Sequence, residues 1–319
     1  MKKICVMHNA SIGDTLLATP VYRALKQSYP QAKIIAVVSY AGEEILQGNP
    51  YIDELIPYQK GDSIFHIIKA IWRSDVALIL DYHYRHALYA FLALIPKRVG
   101  RGEDFINIKV KDKSNKEYEP LKYLRIAKYI GADSKNTKLT KIEVNDLDKR
   151  NVKKLLTKYG LMEKRFIVIV PFSLSTIKDW ESSKYREIIK KIQDDGYKVV
   201  MLGGKNERQR IENEFPNVIN FAGVTSLRES AAIIKKAKAQ LCGCTAMLHV
   251  CATTQTPSIA IYGPTAPEQW APRDNCEVIS HKFSCSPCYH LSRKCTENRC
   301  IMEISVEEVY LKLRELLSR

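Results

Sequence analysis

The run Cys244-Thr245-Ala246-Met247-Leu248-His249 follows an apolar stretch ending at Leu241 and reads as a buried strand turning into a helix. Small residues and a hydroxyl at such a turn leave helix N–H groups free to hold an anion, and the turn suits a diphosphate. Tyr262-Gly263-Pro264-Thr265 and Trp270-Ala271-Pro272 come shortly after it. Near the N-terminus, Ser11-Ile12-Gly13-Asp14-Thr15 occupies the equivalent place after a first apolar strand and brings a carboxylate to the head of a helix. One turn with a carboxylate and one with anion-binding groups outline group-transfer chemistry shared by two domains.

The elements that must position these turns alternate along the chain. Lys3 to His8 reads as a first buried strand, and Asp14 to Ser28 as one helix in which Pro20 makes a kink. Further strands are expected at 33–39 and 76–80, with 98–101 closing the unit. After a polar stretch at 144–154 the pattern restarts, with strands at 166–170, 198–202, 239–242 and 258–262. Helices fall between them, and an amphipathic helix at 306–317 ends the chain. Short apolar strands alternating with helices predict an α/β fold of two domains with parallel sheets. The expected domains are 1–150 and 151–319, with a cleft between them and a Cys-rich segment at 276–300 in the second.

A length of 319 residues with 45% apolar content suits two globular cores. No apolar run reaches the ~18–20 residues that span a bilayer, and the basic start at Met1-Lys2-Lys3 is followed by too short an apolar run for a signal peptide. A cytoplasmic protein is expected. The net charge is +15, and residues 97–141 carry thirteen Lys or Arg against six Asp or Glu. That segment reads either as a solvated lysine-rich surface or as an attractor for an anionic acceptor or membrane face. No nucleic-acid motif accompanies the charge, so nucleic acid is not expected as a partner.

With these residues in view, the chain resembles glycosyltransferase family 9, the heptosyltransferases of lipopolysaccharide core assembly. The resemblance rests on Ile12-Gly13-Asp14-Thr15-Leu16-Leu17-Ala18-Thr19-Pro20, Arg23-Ala24-Leu25-Lys26 and Tyr29-Pro30. It continues through Pro171-Phe172-Ser173, Lys178-Asp179-Trp180, Thr245 with His249, and Tyr262-Gly263-Pro264-Thr265. It implies a GT-B architecture of two Rossmann-like domains, an N-terminal acceptor-side domain and a C-terminal nucleotide-sugar domain. It also implies inverting transfer from a nucleotide-diphosphate sugar, usually ADP-heptose, with no metal needed for the chemistry.

Each role has an ordinary structural counterpart. Asp14 is the expected general base, against a helix-capping aspartate. Lys178 is expected to stabilise the departing diphosphate, with Ser173, Ser175 and Thr176 as added hydroxyl donors, against a surface lysine. Thr245, Ala246 and Met247 should form the anion-binding turn. His249, one helical turn on, reaches donor groups or is a core histidine satisfied by backbone. Glu207, after Gly203-Gly204, stands where the family places an acid near the nucleotide ribose, against a solvated glutamate. The chain departs from the family at Cys244, where an aspartate usually holds donor-sugar hydroxyls, and at Ala246, usually a glycine. A thiol is a weak acceptor, so the donor sugar is held differently or is different.

Cys285-x2-Cys288-x6-Cys295-x4-Cys300 has spacing for a structural zinc or iron site, weighed against disulfides or free thiols. The resemblance adds that some relatives that modify proteins carry iron in such a tail. The expected acceptor is an anionic lipopolysaccharide-core glycolipid, with peripheral contact at the inner membrane face. The alternatives are a protein hydroxyl, as in adhesin heptosyltransferases, and a non-catalytic sugar-nucleotide-binding scaffold.

Overall fold

The computed structural model describes residues 1–102, 104–288, 295 and 297–318. The chain divides into two compact units, Met1–Glu143 and Val144 onward. The polar stretch at 144–154 is mostly a helix, headed by a capping box in which the Asn145 side chain accepts the Asp148 N–H while Asp148 accepts the Asn145 N–H.

In unit 1 the strands are β1 (Lys3–His8), β2 (Lys33–Val38), β3 (Glu54–Pro57), β4 (Val76–Ile79), β5 (Lys97–Gly100) and β6 (Ile108–Lys109). The helices are α1 (Ile12–Leu17), α2 (Thr19–Ser28), α3 (Tyr40–Leu46), α4 (Ile64–Ile71), α5 (Tyr84–Leu92) and α6 (Glu119–Lys128). All strand pairs are parallel, in the order β3-β2-β1-β4-β5-β6. The expected single helix at 14–28 is instead two. Pro20 cannot donate an N–H and its ring crowds the carbonyl of Leu16, so α1 stops at Leu17 and α2 restarts with Pro20 in its first turn. Thr19 Oγ1 donates to that Leu16 carbonyl at 2.7 Å.

Unit 2 repeats the plan. Its strands are β7 (Phe166–Val170), β8 (Lys198–Met201), β9 (Ile219–Asn220), β10 (Ala239–Gly243), β11 (Ser258–Tyr262) and β12 (Cys276–Ser280). Its helices are α7 (Asp146–Lys158), α8 (Ser182–Asp194), α9 (Arg208–Glu214), α10 (Leu227–Lys236), α11 (Ala246–Thr254), α12 (Pro267–Trp270), α13 (Arg299–Met302) and α14 (Val306–Leu317). The order β12-β11-β10-β7-β8-β9 is again all parallel. Central strands such as β7 (FIVIV) and β11 (SIAIY) are buried throughout, as strands covered by helices on both faces must be. In each sheet the strand order reverses once, between β1 and β4 and between β7 and β10. The carboxyl ends of strands at such a reversal form the crevice where doubly wound sheets bind ligands.

The basic segment at 97–141 is only partly a solvated surface. Arg101 lies 2.8 Å from Glu119 and 3.5 Å from Asp112, Lys122 lies 3.0 Å from Glu119, and Arg125 pairs with Glu117. The Arg101, Lys122 and Glu119 side chains are buried, and with Asp112 beside Arg101 the two cations are matched inside unit 1 rather than projected to a partner. Among the described residues, no helix is long and apolar enough to cross a membrane.

Candidate functional site

At the reversal of the first sheet, β1 leads into Ser11 and α1. Ser11 caps α1: its hydroxyl donates to Asp14 Oδ2 at 2.7 Å and accepts the Asp14 N–H at 3.5 Å. The Asp14 carboxylate is therefore half-buried and fixed in orientation. On the other side of the reversal, Asp81 follows β4, accepts the Asn9 N–H at 3.2 Å and lies 2.9 Å from His86 Nδ1. Burial alone would raise the Asp81 pKa, but the hydrogen bond and charge of His86 and the charge of His8 more than offset it, and the carboxyl stays below its usual range. His8, at the end of β1, is buried with Nδ1 unpartnered, and burial lowers its pKa to about 4. Its ring meets Tyr123 edge-on at 5.0 Å. The Tyr123 phenol is pushed well up by burial and then by the charges of Glu119 and Asp14. The sequence points to Asp14 alone here. The Asp81–His86 pair and His8 come from three separate elements, which only the sheet order brings together.

At the reversal of the second sheet, two loops converge. The loop after β7 holds Ser173 to Lys178 and is locked from both ends. Asp179 Oδ1 accepts the Ser173 N–H and lies 2.9 Å from the Ser173 hydroxyl, which is also 2.8 Å from the Ser175 carbonyl. Arg210 holds Asp179 at 3.2 Å and lies 3.6 Å over the Phe172 ring. Burial still leaves the Asp179 pKa above the ordinary carboxylate range, opposed by its bonds to Ser173 and Arg210. Trp180 is buried and its indole N–H donates to the Ile304 carbonyl at 3.0 Å. Lys178 stands between these anchors, and its ammonium has no ion-pair partner among the described residues. Ser173 thus serves the loop, whereas the Ser175 and Thr176 side chains remain open to a ligand.

The loop after β10 approaches closely. A Cβ on Gly243 would lie 3.3 Å from the Lys178 carbonyl, so this glycine lets the Lys178 loop sit against Cys244 and Thr245. Thr245 is the N-cap residue of α11 with extended backbone, yet its hydroxyl caps no N–H. Its Oγ1, together with Tyr262 Oη, Thr265 Oγ1 and His249 Nδ1, is buried without a hydrogen-bond partner. Burial lowers the His249 pKa to about 4, so the imidazole is neutral near pH 7. Tyr262 is pushed well up by burial, with the Cys244 thiol beside it. Each buried polar atom left unpaired costs about 1–3 kcal/mol, and these four, beyond β10 and β11 and in the first turns of α11, are candidates for contact with a polar ligand. Ala246 and Met247 supply the free N–H groups at the head of α11. Glu207, beyond β8, spends Oε2 on the Gly204 N–H at 2.7 Å, leaving Oε1.

Tyr262, Thr265, Gly243 and Asp179 lie in motifs visible in the sequence, but their roles depend on neighbours far along the chain. Tyr262→Phe is expected to raise the thermal midpoint of the free protein, since it removes an orphaned hydroxyl. The same change should weaken nucleotide-sugar binding about tenfold. Calorimetric melting and titration check both signs, and a lower midpoint with unchanged binding would remove Tyr262 from the site.

Cys285, Cys288, Cys295 and Cys300 lie close enough that the Cys300 thiol feels the other three. Among the described residues, no group of three or more His, Cys, Asp or Glu is placed to hold a metal ion. Cys285 and Cys295 are exposed while Cys300 is buried, with its Sγ 3.3 Å from where a Gly263 Cβ would stand. The Cys288 thiol donates to the Cys285 carbonyl at 3.1 Å. This segment braces the loop after β11: the Cys288 N–H donates to Pro264 O at 2.7 Å and Ser286 Oγ to Gly263 O at 2.7 Å.

Comparison with known proteins places this geometry in a family. The family model described as glycosyltransferase family 9 (heptosyltransferase) matches residues 64–299. Lipopolysaccharide heptosyltransferase 2 of Salmonella typhimurium is 26% identical, over 99% of this chain and 99% of that one. The crystal structure of a family 9 glycosyl transferase from Veillonella parvula superposes with a TM-score of 0.87 at 20% identity, covering 99% of this chain and 97% of that one. ADP-heptose lps heptosyltransferase II of E. coli gives 0.81 at 24% identity, covering 100% and 99%. The fold is the GT-B fold, and the chain belongs to glycosyltransferase family 9, the heptosyltransferases.

Proposed function

We propose that this glycosyltransferase moves a heptose from ADP-heptose to a sugar hydroxyl of an anionic lipopolysaccharide-core glycolipid, with inversion at the anomeric carbon. The relatives' names support the heptose and the core acceptor. The observation that carries the donor half is the group at the second reversal: an unpaired lysine, the head of α11, and buried Thr245, Tyr262 and Thr265 hydroxyls with no partner.

In this reading Asp14 accepts the proton of the acceptor hydroxyl as its oxygen bonds to the anomeric carbon. The bond from that carbon to the diphosphate oxygen breaks, and ADP leaves with the bonding electrons. Negative charge grows on the diphosphate, so Lys178, the Thr245 hydroxyl and the N–H groups of Ala246 and Met247 bind the transition state more strongly than the ground state. Ser175 and Thr176 add donors. Neutral His249 turns its unpartnered Nδ1 to donor groups, and Glu207 Oε1 accepts from the ribose. Cys244 takes the position where an acidic sugar contact is usual, and its neighbour Tyr262 supplies the hydroxyl that the thiol cannot.

Calorimetric titration with ADP, UDP, GDP and ADP-heptose tests the donor. ADP-heptose is expected to bind at least about tenfold more tightly than UDP or GDP. Equal affinity for all four, or no binding, contradicts the assignment.

A further inference from the structure

Many of the exposed large hydrophobic side chains fall in one stretch of unit 1: Phe65, Trp72, Phe91, Leu92, Leu94 and Phe105. The stretch belongs to the α4–α5 helix pair and its flanks. Ile67 and Ile71 bury one face of α4 in the core that also holds Ala87, Tyr89 and Ala90 of α5. Its other face repeats at i, i+4 and i+7 as Phe65, Lys69 and Trp72, with Phe65 79% exposed. The end of α4 joins the end of α5 through the Arg73 N–H, which donates to the Ala93 carbonyl at 2.9 Å. From there the apolar surface continues: Phe91 and Phe105 lie 5.4 Å apart, and Arg98 sits over Phe91 at 5.4 Å while donating to the Phe105 carbonyl.

The charged residues of the two helices are of one sign. α4 and α5 contain no Asp or Glu, whereas Lys69, Arg73, Arg85 and Lys97 are exposed on or beside them. Asp104 stands at the Phe105 rim, and Asp75 is taken up by the Lys3 N–H. The backbone adds a separate sign of selection. Arg73, Leu94 and Phe105 adopt φ of 50°, 56° and 59°, the left-handed region where glycine or asparagine costs least. Leu94 and Phe105 are nevertheless exposed large apolar side chains.

We propose that this face of unit 1 seats the enzyme on an anionic phospholipid bilayer. Aromatic and leucine side chains interleaved with cations are the composition that enters the headgroup boundary, and the negative leaflet surface complements the basic groups. The inference deepens the glycolipid-acceptor reading and rests on it for why a membrane is met. Within the 97–141 segment Arg101, Lys122 and Arg125 are paired, so it contributes to this face through Lys97 and Arg98 at its start.

The test is co-sedimentation of the full chain with vesicles of phosphatidylcholine alone or with about one-third phosphatidylglycerol. The wild type is expected to bind the anionic vesicles at least about tenfold better, with the preference lost on raising salt from about 0.05 to about 0.3 M. The double variant Leu94→Asn/Phe105→Asn suits the left-handed backbone, so it should melt no lower than wild type while its vesicle affinity falls about tenfold. No lipid preference in the wild type, or undiminished binding by the double variant, overturns the proposal. Self-association of the wild type that the variant abolishes, with no lipid binding, reassigns the face to a second copy. Transfer to a deacylated, water-soluble acceptor should be equal in both proteins. Failure of that transfer in the wild type sinks the acceptor reading without touching the vesicle result.

Discussion

Asp14→Asn is expected to lower kcat about 10³-fold, inside the roughly 10²–10⁴ range that a positioned general base contributes, while ADP-heptose binding changes less than about twofold. The two effects separate because Asp14 belongs to unit 1, whereas the orphaned polar groups assigned to the donor all belong to unit 2. The variant should fold normally. An asparagine oxygen still accepts the Ser11 hydroxyl that now donates to Asp14 Oδ2, so the cap of α1 survives and only the proton-accepting capacity is lost. Single-turnover kinetics with calorimetric donor binding checks this. Near-wild-type turnover would leave Asp14 as a helix cap and shift attention to Asp81, the other carboxylate at the same reversal.

Lys178→Ala should lower kcat by about 10²–10³, the loss typical of removing one preorganised charge from a developing anion. Binding of ADP should weaken less, since the ammonium gains most as charge builds on the leaving diphosphate. The loop itself should persist: its locks are Asp179 with Ser173 and Arg210, and buried Trp180, none of which uses the lysine side chain. Lys178→Arg keeps the charge and should recover part of the lost rate, which a purely structural defect would not allow. Equal losses in both variants, with unchanged melting, would mean that the charge is not what matters there.

Much of this arrangement was legible in the sequence because short-range signals agree with the fold. Apolar runs such as FIVIV mark strands buried on both faces, and hydroxyl or acidic residues just beyond β1, β7 and β10 mark the turns that carry chemistry. Signals that depend on pairing at a distance were not legible. The excess of cations at 97–141 counts charges but cannot show that Arg101 and Lys122 close on Glu119. Nor does any local pattern reveal that a Cβ on Gly243 would crowd the Lys178 carbonyl at 3.3 Å, or that the Tyr262 hydroxyl is left without a hydrogen bond of normal geometry. The helix at 14–28 is two elements for a partly local reason. The proline was visible, but its place at the start of α2 rather than inside a bend is decided by Thr19, whose hydroxyl is held by both Leu16 and Thr140.

The most direct test of the account is one transfer reaction, with ADP-heptose and a heptose-deficient core glycolipid, followed by NMR of the product. The account predicts one ADP released for each heptose transferred, with the anomeric configuration opposite to that of the donor. Retained configuration, or ADP release without transfer to the glycolipid, would contradict it.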